Sequence, residues 1–374
     1  MRLLKIVAIN LGLTLAILLA FDAAAYFLLP NDWNFNGYRL TDAALRTPVA
    51  GLLYPPGYFE PNSTRGFDIR PAVSGVAAMN NYFFPIEANE FGCRDRKISF
   101  EAGKPLIYAA GDSQTWGIVP IDERWTNLLE KKISVPILNC GVPGTAQTHQ
   151  HQKYREVISK LERKPNLVIV TYISNDVFED GHFPAYTVVD GFLTMNDASP
   201  QELERRVEAG IERLNHPSLY DRIKGSVKRY SLSSQIAIAF WKRAHDAYRG
   251  QQPDTVYDYT GTAADKNQQA IKQFAEDVCS AGIRFAVLIP PDSTHLKYPE
   301  YFADLDRFLS ANGIFSVDFH RTASEQGLRY SDFSQFNDPH FSELGNKRYA
   351  DDIDAIMKKD GDGFGSCKGL QRSH

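Results

Sequence analysis

Beyond Pro105 the chain alternates between short, unbroken apolar runs and longer stretches in which apolar residues return every three or four positions. The runs predict strands at Leu106–Ala110, Pro136–Cys140, Leu167–Ile173, Arg284–Ile289 and Ile314–Asp318, the fourth closed by Pro290-Pro291. The periodic stretches predict helices around Trp125–Lys132, Gln147–Glu162, Ala263–Ala281 and Tyr298–Ala311, and a last one running to Lys359. A strand that is apolar at every position is covered on both faces, and strands separated by helices pair in parallel. The expected class is therefore α/β, a three-layer, doubly wound parallel sheet.

Two regions interrupt the alternation. Residues 31–104 are rich in Pro, Gly, Asn and aromatics without a sustained period, which reads as an irregular N-terminal extension of loops and short strands wrapped on the regular domain at 105–360. Residues 181–258 read as an insertion. There Tyr186–Met195 sets Asp190-Gly191 between two short apolar or β-branched runs, a hairpin signal, and helical charged stretches follow at Pro200–Leu214 and Leu219–Tyr248. Residues 361–374, Gly-rich and polar, read as a disordered tail.

The N-terminus has its own pattern. Arg2 and Lys5 precede an apolar stretch from Ile6 to Leu29, broken only by Asn10, Thr14 and Asp22. Two readings fit residues 1–30. A secretory signal peptide would end near Phe21 and offer Ala23, Ala24 and Ala25 for cleavage. A transmembrane anchor needs about 20 apolar residues, and the continuation through Tyr26 to Leu29 favours it. In both, the positive flank stays in the cytoplasm and the rest is exported, to the periplasm or the cell exterior, with the inner membrane as partner of the uncleaved form.

Composition narrows the function. A formal net charge of -4 speaks against a nucleic-acid binder held by charge. The four cysteines, Cys93, Cys140, Cys279 and Cys367, form no CxxC pair, so no zinc spacing is present and neither metal nor cofactor is expected. Export permits a disulfide, yet Cys140 and Cys279 lie in apolar segments and read as buried small hydrophobes.

Candidate chemistry sits where strands end. GDSQTWG, Gly111 to Gly117, follows the first strand, which exposes Ser113 at the carboxyl edge of the sheet. A serine hydroxyl is a weak nucleophile until a base takes its proton. The far end of the chain offers DPHFSELGN, Asp338 to Asn346, with a histidine and a nearby carboxylate. Between them lie LNCGVPG, Leu138 to Gly144, and YISND, Tyr172 to Asp176, each at a strand's end. The bland alternative for Asp112 or Ser113 is a helix cap.

These four ordered blocks resemble the SGNH (GDSL-type) hydrolase superfamily, and the resemblance covers about Pro105 to Ala355 outside the insertion. It implies a flavodoxin-like fold with Ser113 as nucleophile, His340 as base, and an oxyanion hole made by the N–H of Ser113, the N–H of Gly141 and the amide of Asn175. Two positions depart from the pattern. Ile173 stands where many members have glycine, and Asn337 stands where the usual aspartate precedes the histidine by three. Asp338, two residues before His340, becomes the third catalytic member, a spacing similar to that of polysaccharide O-acetylation proteins of this fold. Asn89 to Asp95 resembles an Asn-x-x-Gly-x-Arg-Asp element of exported members, with no physical role evident beyond a turn at Gly92.

The implied activity is a serine esterase acting on acyl, above all acetyl, esters of a small molecule, cell-surface glycan or lipid. Water or a sugar hydroxyl as final acceptor separates hydrolysis from O-acetyl transfer. A non-catalytic glycan-binding or assembly protein is the competing reading; no protein partner is identified. Asp176 reads as structural, Trp116 and Trp125 as core more than substrate contacts, His295 as a loop residue near the edge, and His149 with His151 as facing different directions on one helix.

Overall fold

The computed structural model describes residues 2–28, 34–35, 38–39, 54–79, 82–97, 104–223, 231–234, 236–237, 240–241, 244, 261–292, 299–335 and 338–367. Five parallel strands form the centre: β1 (Ile107–Ala110), β2 (Ile137–Asn139), β3 (Leu167–Thr171), β4 (Arg284–Ile289) and β5 (Phe315–Asp318). Their order in space is β5-β4-β3-β1-β2. The expected α/β class and doubly wound sheet are what the chain forms.

The unbroken apolar runs have the expected cause. Tyr108, Ala110, Val168, Val170, Phe285 and Val287 point into one buried layer, while Ile107, Ala109, Leu167, Ile169, Ala286 and Leu288 point into the other. Helices Gln147–Lys160, Gly261–Ser280 and Pro299–Ala311 cover the first face; Trp125–Ile133, Phe319–Glu325 and Glu343–Asp360 cover the second. Helix Phe319–Glu325 follows β5 directly, capped by the Asp318 carboxylate accepting from the His320 N–H at 2.9 Å, and has no counterpart in the sequence reading.

The extension is a set of hairpins, Phe59–Asn62 with Gly66–Ile69 and Ser74–Met79 with Tyr82–Glu87. Its Tyr58, Phe59, Phe67 and Phe84 build a third core with Trp116, Ile118 and Val142 of the central domain. Trp116 and Trp125 are fully buried. Helix Gln147–Lys160 fastens the extension from below: Lys153 donates to Asp68 and to the Gly92 carbonyl at 2.8 Å, and His149 Nε2 meets the Phe67 carbonyl at 2.8 Å. That carbonyl can only accept, so His149 is held as the neutral Nε2–H form, and burial pushes its pKa down to about 4.

This sets a pH dependence. Below about 6.5 the unfolded chain protonates this histidine while the folded one does not, so stability falls as pH drops from there to about 4, by on the order of 3 kcal/mol. A His149→Gln variant, whose amide still donates to Phe67, is expected to show a flatter fall of Tm across that window in thermal melts.

The insertion opens with the expected hairpin, Tyr186–Val189 paired to Phe192–Met195, and Asp190 (φ 49°) with Gly191 (φ 83°) take the left-handed turn that suits the strands' twist. Gly57 N–H donates to the Gly191 carbonyl at 2.8 Å, docking this hairpin on the extension. Helix Pro200–Asn215 follows. Of the helix expected at Leu219–Tyr248, residues 219–223, 232–234, 236–237, 240–241 and 244 are helical, Ser231 is not, and the others lie outside the described residues. Where the insertion begins and ends, Gly181 and Ala263 are adjacent: a Cβ on Gly181 would stand 3.0 Å from that of Ala263.

Two expectations are corrected. The cysteines are not free buried hydrophobes: Cys93 pairs with Cys140 and Cys279 with Cys367. Nor are residues 361–367 a disordered tail. Phe364 is fully buried against the second face of the sheet, the Gly365 carbonyl accepts from Phe285 N–H at 2.8 Å, and Cys367 is tied to helix Gly261–Ser280. One aromatic and one covalent bond outweigh the glycine-rich composition; residues 368–374 lie outside the described residues.

The N-terminal segment is a helix, Arg2–Leu28, of which Lys5–Ala25 has mean hydropathy 2.1 and is 6% buried. It is long and apolar enough for a signal or an anchor.

Candidate active site

Three adjacent strands deliver the candidates to one edge. Beyond β1, Gly111 and Asp112 turn the chain into a short helix, Ser113–Trp116; beyond β2 comes Gly141, and beyond β3 comes Asn175. The crossovers reverse direction between β1 and β3, where sheets of this order open a crevice at their carboxyl ends. Only glycine fits at 111, since a Cβ there would fall 2.1 Å from Thr115 Oγ1.

His340 arrives from the far end of the chain on strand Asp338–Phe341, and its Nε2 lies 2.8 Å from Ser113 Oγ, although 227 positions separate them. The hydroxyl has a second acceptor, Asp112 Oδ2, at 3.0 Å. The other oxygen of Asp112 accepts from the Gln114 N–H at 2.8 Å, so Asp112 is the helix cap and Ser113 is left to the histidine. Burial pushes the Asp112 carboxyl up, against the pull of the Gln114 N–H and of His340. The backbone of Asp338 begins the histidine strand; its side chain lies outside the described residues, as do Asn337 and His295.

The histidine strand is gripped by Gln114. Its Nε2 donates to the Pro339 carbonyl at 3.2 Å and its Oε1 accepts from the Phe341 N–H at 3.1 Å, one bond on each side of His340. An apolar residue at 114 would make neither.

Gly141 abuts the nucleophile turn so closely that a Cβ would stand 2.5 Å from Trp116 N. Its N–H donates to Asn139 Oδ1 at 3.1 Å. Asn139 in turn donates to the Thr115 carbonyl at 2.6 Å and to Thr126 Oγ1 at 2.9 Å, tying the end of β2 to the helix that bears Ser113. The Asn89 to Asp95 element now has a physical role. Asp95 accepts from the Asn139 N–H at 2.8 Å, and the fully buried Arg94 donates to the carbonyls of Trp116, Gly117 and Val119 while lying 4.2 Å from the Trp116 ring centroid. Cys93 is bonded to Cys140, the neighbour of Gly141.

The Asn175 amide donates to Glu179 Oε1 at 2.9 Å, leaving its second N–H. Behind it Asp176 accepts from Gln147 at 2.6 Å and from the Ile173 N–H at 3.1 Å, the structural part expected of it. Burial, reinforced by Asp112, pushes Asp176 and Glu179 well above the carboxylate range, and burial pushes Asp180 up to about 6 despite donors from Thr148 and Asn267. Burial thus favours the neutral form of Asp176 and Glu179 beneath Asn175, more than that of Asp180. His149 and His151 face different partners, the Phe67 carbonyl and Asp277.

Sequence reasoning placed Ser113, Gly141, Asn175 and His340, and the fold brings all four to one sheet edge. It missed the supporting roles of Gln114, Asn139, Arg94, Asp95 and Glu179. Only the Asn89 to Asp95 string carried a signal, without its mechanism.

A strand order of 2-1-3-4-5 with a serine, a glycine and an asparagine at three neighbouring tips and a histidine on the serine defines a class of ester-bond hydrolases. The profile of the GDSL-like Lipase/Acylhydrolase family matches residues 107–353, and the chain belongs to that family. Solved structures similar to it include a member of the lipolytic protein G-D-S-L family from Veillonella parvula, 15% identical over 67% of this chain and 96% of that one, TM-score 0.36. A catalytic mutant of an acetylxylan esterase from Geobacillus stearothermophilus is 13% identical over 74% of this chain and 100% of that one, also with TM-score 0.36. No curated protein matches the chain.

Proposed function

We propose that this hydrolase is an exported serine esterase that removes acyl groups, above all acetyl, from a cell-surface glycan or lipid, and that its N-terminal helix holds it to the membrane. The observation that carries the catalytic reading is the 2.8 Å approach of His340 Nε2 to Ser113 Oγ. His340, the nearer of the two acceptors, takes the hydroxyl proton as Ser113 attacks the ester carbonyl, and Asp338 is assigned to orient the imidazole. The alkoxide is met by the N–H of Ser113 and the second N–H of Asn175, and by the N–H of Gly141 as it turns from Asn139 Oδ1 to the developing charge. His340 then returns the proton to the leaving alcohol, and water, activated by the same histidine, releases the acid.

Export is supported by the two disulfides, which persist in oxidising compartments, together with the apolar N-terminal helix. A fluorophosphonate probe tests the catalytic reading. The full chain should be labelled on Ser113, with labelling lost in Ser113→Ala and strongly slowed in His340→Ala; an unlabelled but folded wild type would favour the binding-module reading instead.

A further inference from the structure

The N-terminal helix meets the rest of the protein around Asp22 and Ala25. Its described side chains from Lys5 to Phe21 are exposed, Asp22 is half-buried and Ala25 is buried. What meets it is the insertion: Asp22 accepts from Ser231 Oγ at 2.6 Å, Ser233 N–H at 2.8 Å and Ser233 Oγ at 2.9 Å, and the adjacent Leu232 is buried. Lys5 to Phe21 rises about 24 Å, close to the hydrocarbon thickness of a bilayer. In a membrane-held chain this contact therefore lies at the outer interface, where the only carboxylate of the span is fully engaged.

The same part of the insertion is unusually apolar on its surface. Among the described residues outside the N-terminal helix, the exposed large hydrophobics are Val76, Met195, Leu344 and five residues between 219 and 241: Leu219, Tyr220, Ile223, Phe240 and Trp241. Each of the five is more than half exposed. By sequence, residues 219–249 also carry seven lysines and arginines against two aspartates, in a chain whose net charge is -4. Exposed aromatic and aliphatic side chains, in a stretch of sequence with an excess of positive charge and with a bond to the end of a span, suit the headgroup region of an anionic bilayer.

We propose that this part of the insertion is a second membrane contact, its Leu219, Tyr220, Ile223, Phe240 and Trp241 seated in the interface of the bilayer that holds the N-terminal helix. The proposal rests on the anchored reading of that helix. It makes the insertion a strut that fixes the catalytic domain's orientation on the lipid surface.

Trp241 supplies the test. The full chain is reconstituted into vesicles of phosphatidylcholine with a minority of phosphatidylglycerol, with and without bromine on the acyl chains, and tryptophan emission is compared. Trp116 and Trp125 are fully buried, and Trp33 is common to every protein compared. Brominated lipid should quench the wild type, and Trp241→Phe should remove a large share of the quenched emission while fluorophosphonate labelling, which reports the fold, stays unchanged. If the chain is stripped from vesicles by alkaline carbonate, the anchor fails and this contact with it. If it stays but wild type and Trp241→Phe lose the same emission, the anchor stands and only the second contact is overturned.

Discussion

Ser113→Ala is expected to lower kcat for p-nitrophenyl acetate by roughly ten-thousand-fold or more, with KM little changed. The substitution removes the atom that forms the acyl-enzyme, so both halves of the reaction lose their route. What remains is the water reaction assisted by the oxyanion donors, which is why the loss is finite. His340→Ala should cost a comparable factor, because without a base at 2.8 Å the hydroxyl keeps its proton. The double variant should be scarcely worse than either single one, since nucleophile and base act as a unit. Steady-state kinetics on all three proteins decide the matter: a Ser113→Ala enzyme within tenfold of wild type would remove Ser113 from the mechanism.

The second large effect is expected from the bond between Cys93 and Cys140, which spans 47 positions. Closing a loop of that length restricts the unfolded chain by about 4 kcal/mol in the chain-entropy account. For a domain of this size that is a Tm lowered by roughly 10 °C in Cys93→Ser/Cys140→Ser. Activity should suffer at temperatures well below the melt as well. Cys140 precedes Gly141, and the bond fixes it to the element whose Asp95 holds Asn139 and whose Arg94 holds the end of the nucleophile helix. Calorimetry with parallel kcat measurements checks both, and an unchanged Tm in the double variant would show that the hydrogen bonds alone suffice.

The sheet was legible because its strands are buried on both faces, which leaves unbroken apolar runs between helices of ordinary period. The four site blocks were legible because each follows such a run. What escaped has a common cause: it depends on distances between remote segments. Cys93 and Cys140 look like any buried small residues until two loops are seen side by side. Gln114 carries no signal of its own until the histidine strand, more than two hundred residues on, offers it a carbonyl and an N–H. The tail was misread because glycine content outvoted one phenylalanine, whereas Phe364 fills a buried place and Cys367 locks it. The helix Phe319–Glu325 was missed because it begins on the residue after β5 ends, with no loop to mark the change of period.

The neighbouring positions of Gly181 and Ala263 give the insertion a property of its own. An excursion of some eighty residues that leaves and re-enters at one point shifts no strand register and stretches no crossover, and its closure entropy grows only slowly with its length. The stem between β3 and β4 is thus a point at which the excursion can change in length or content while the strands that carry the catalytic edge keep their places.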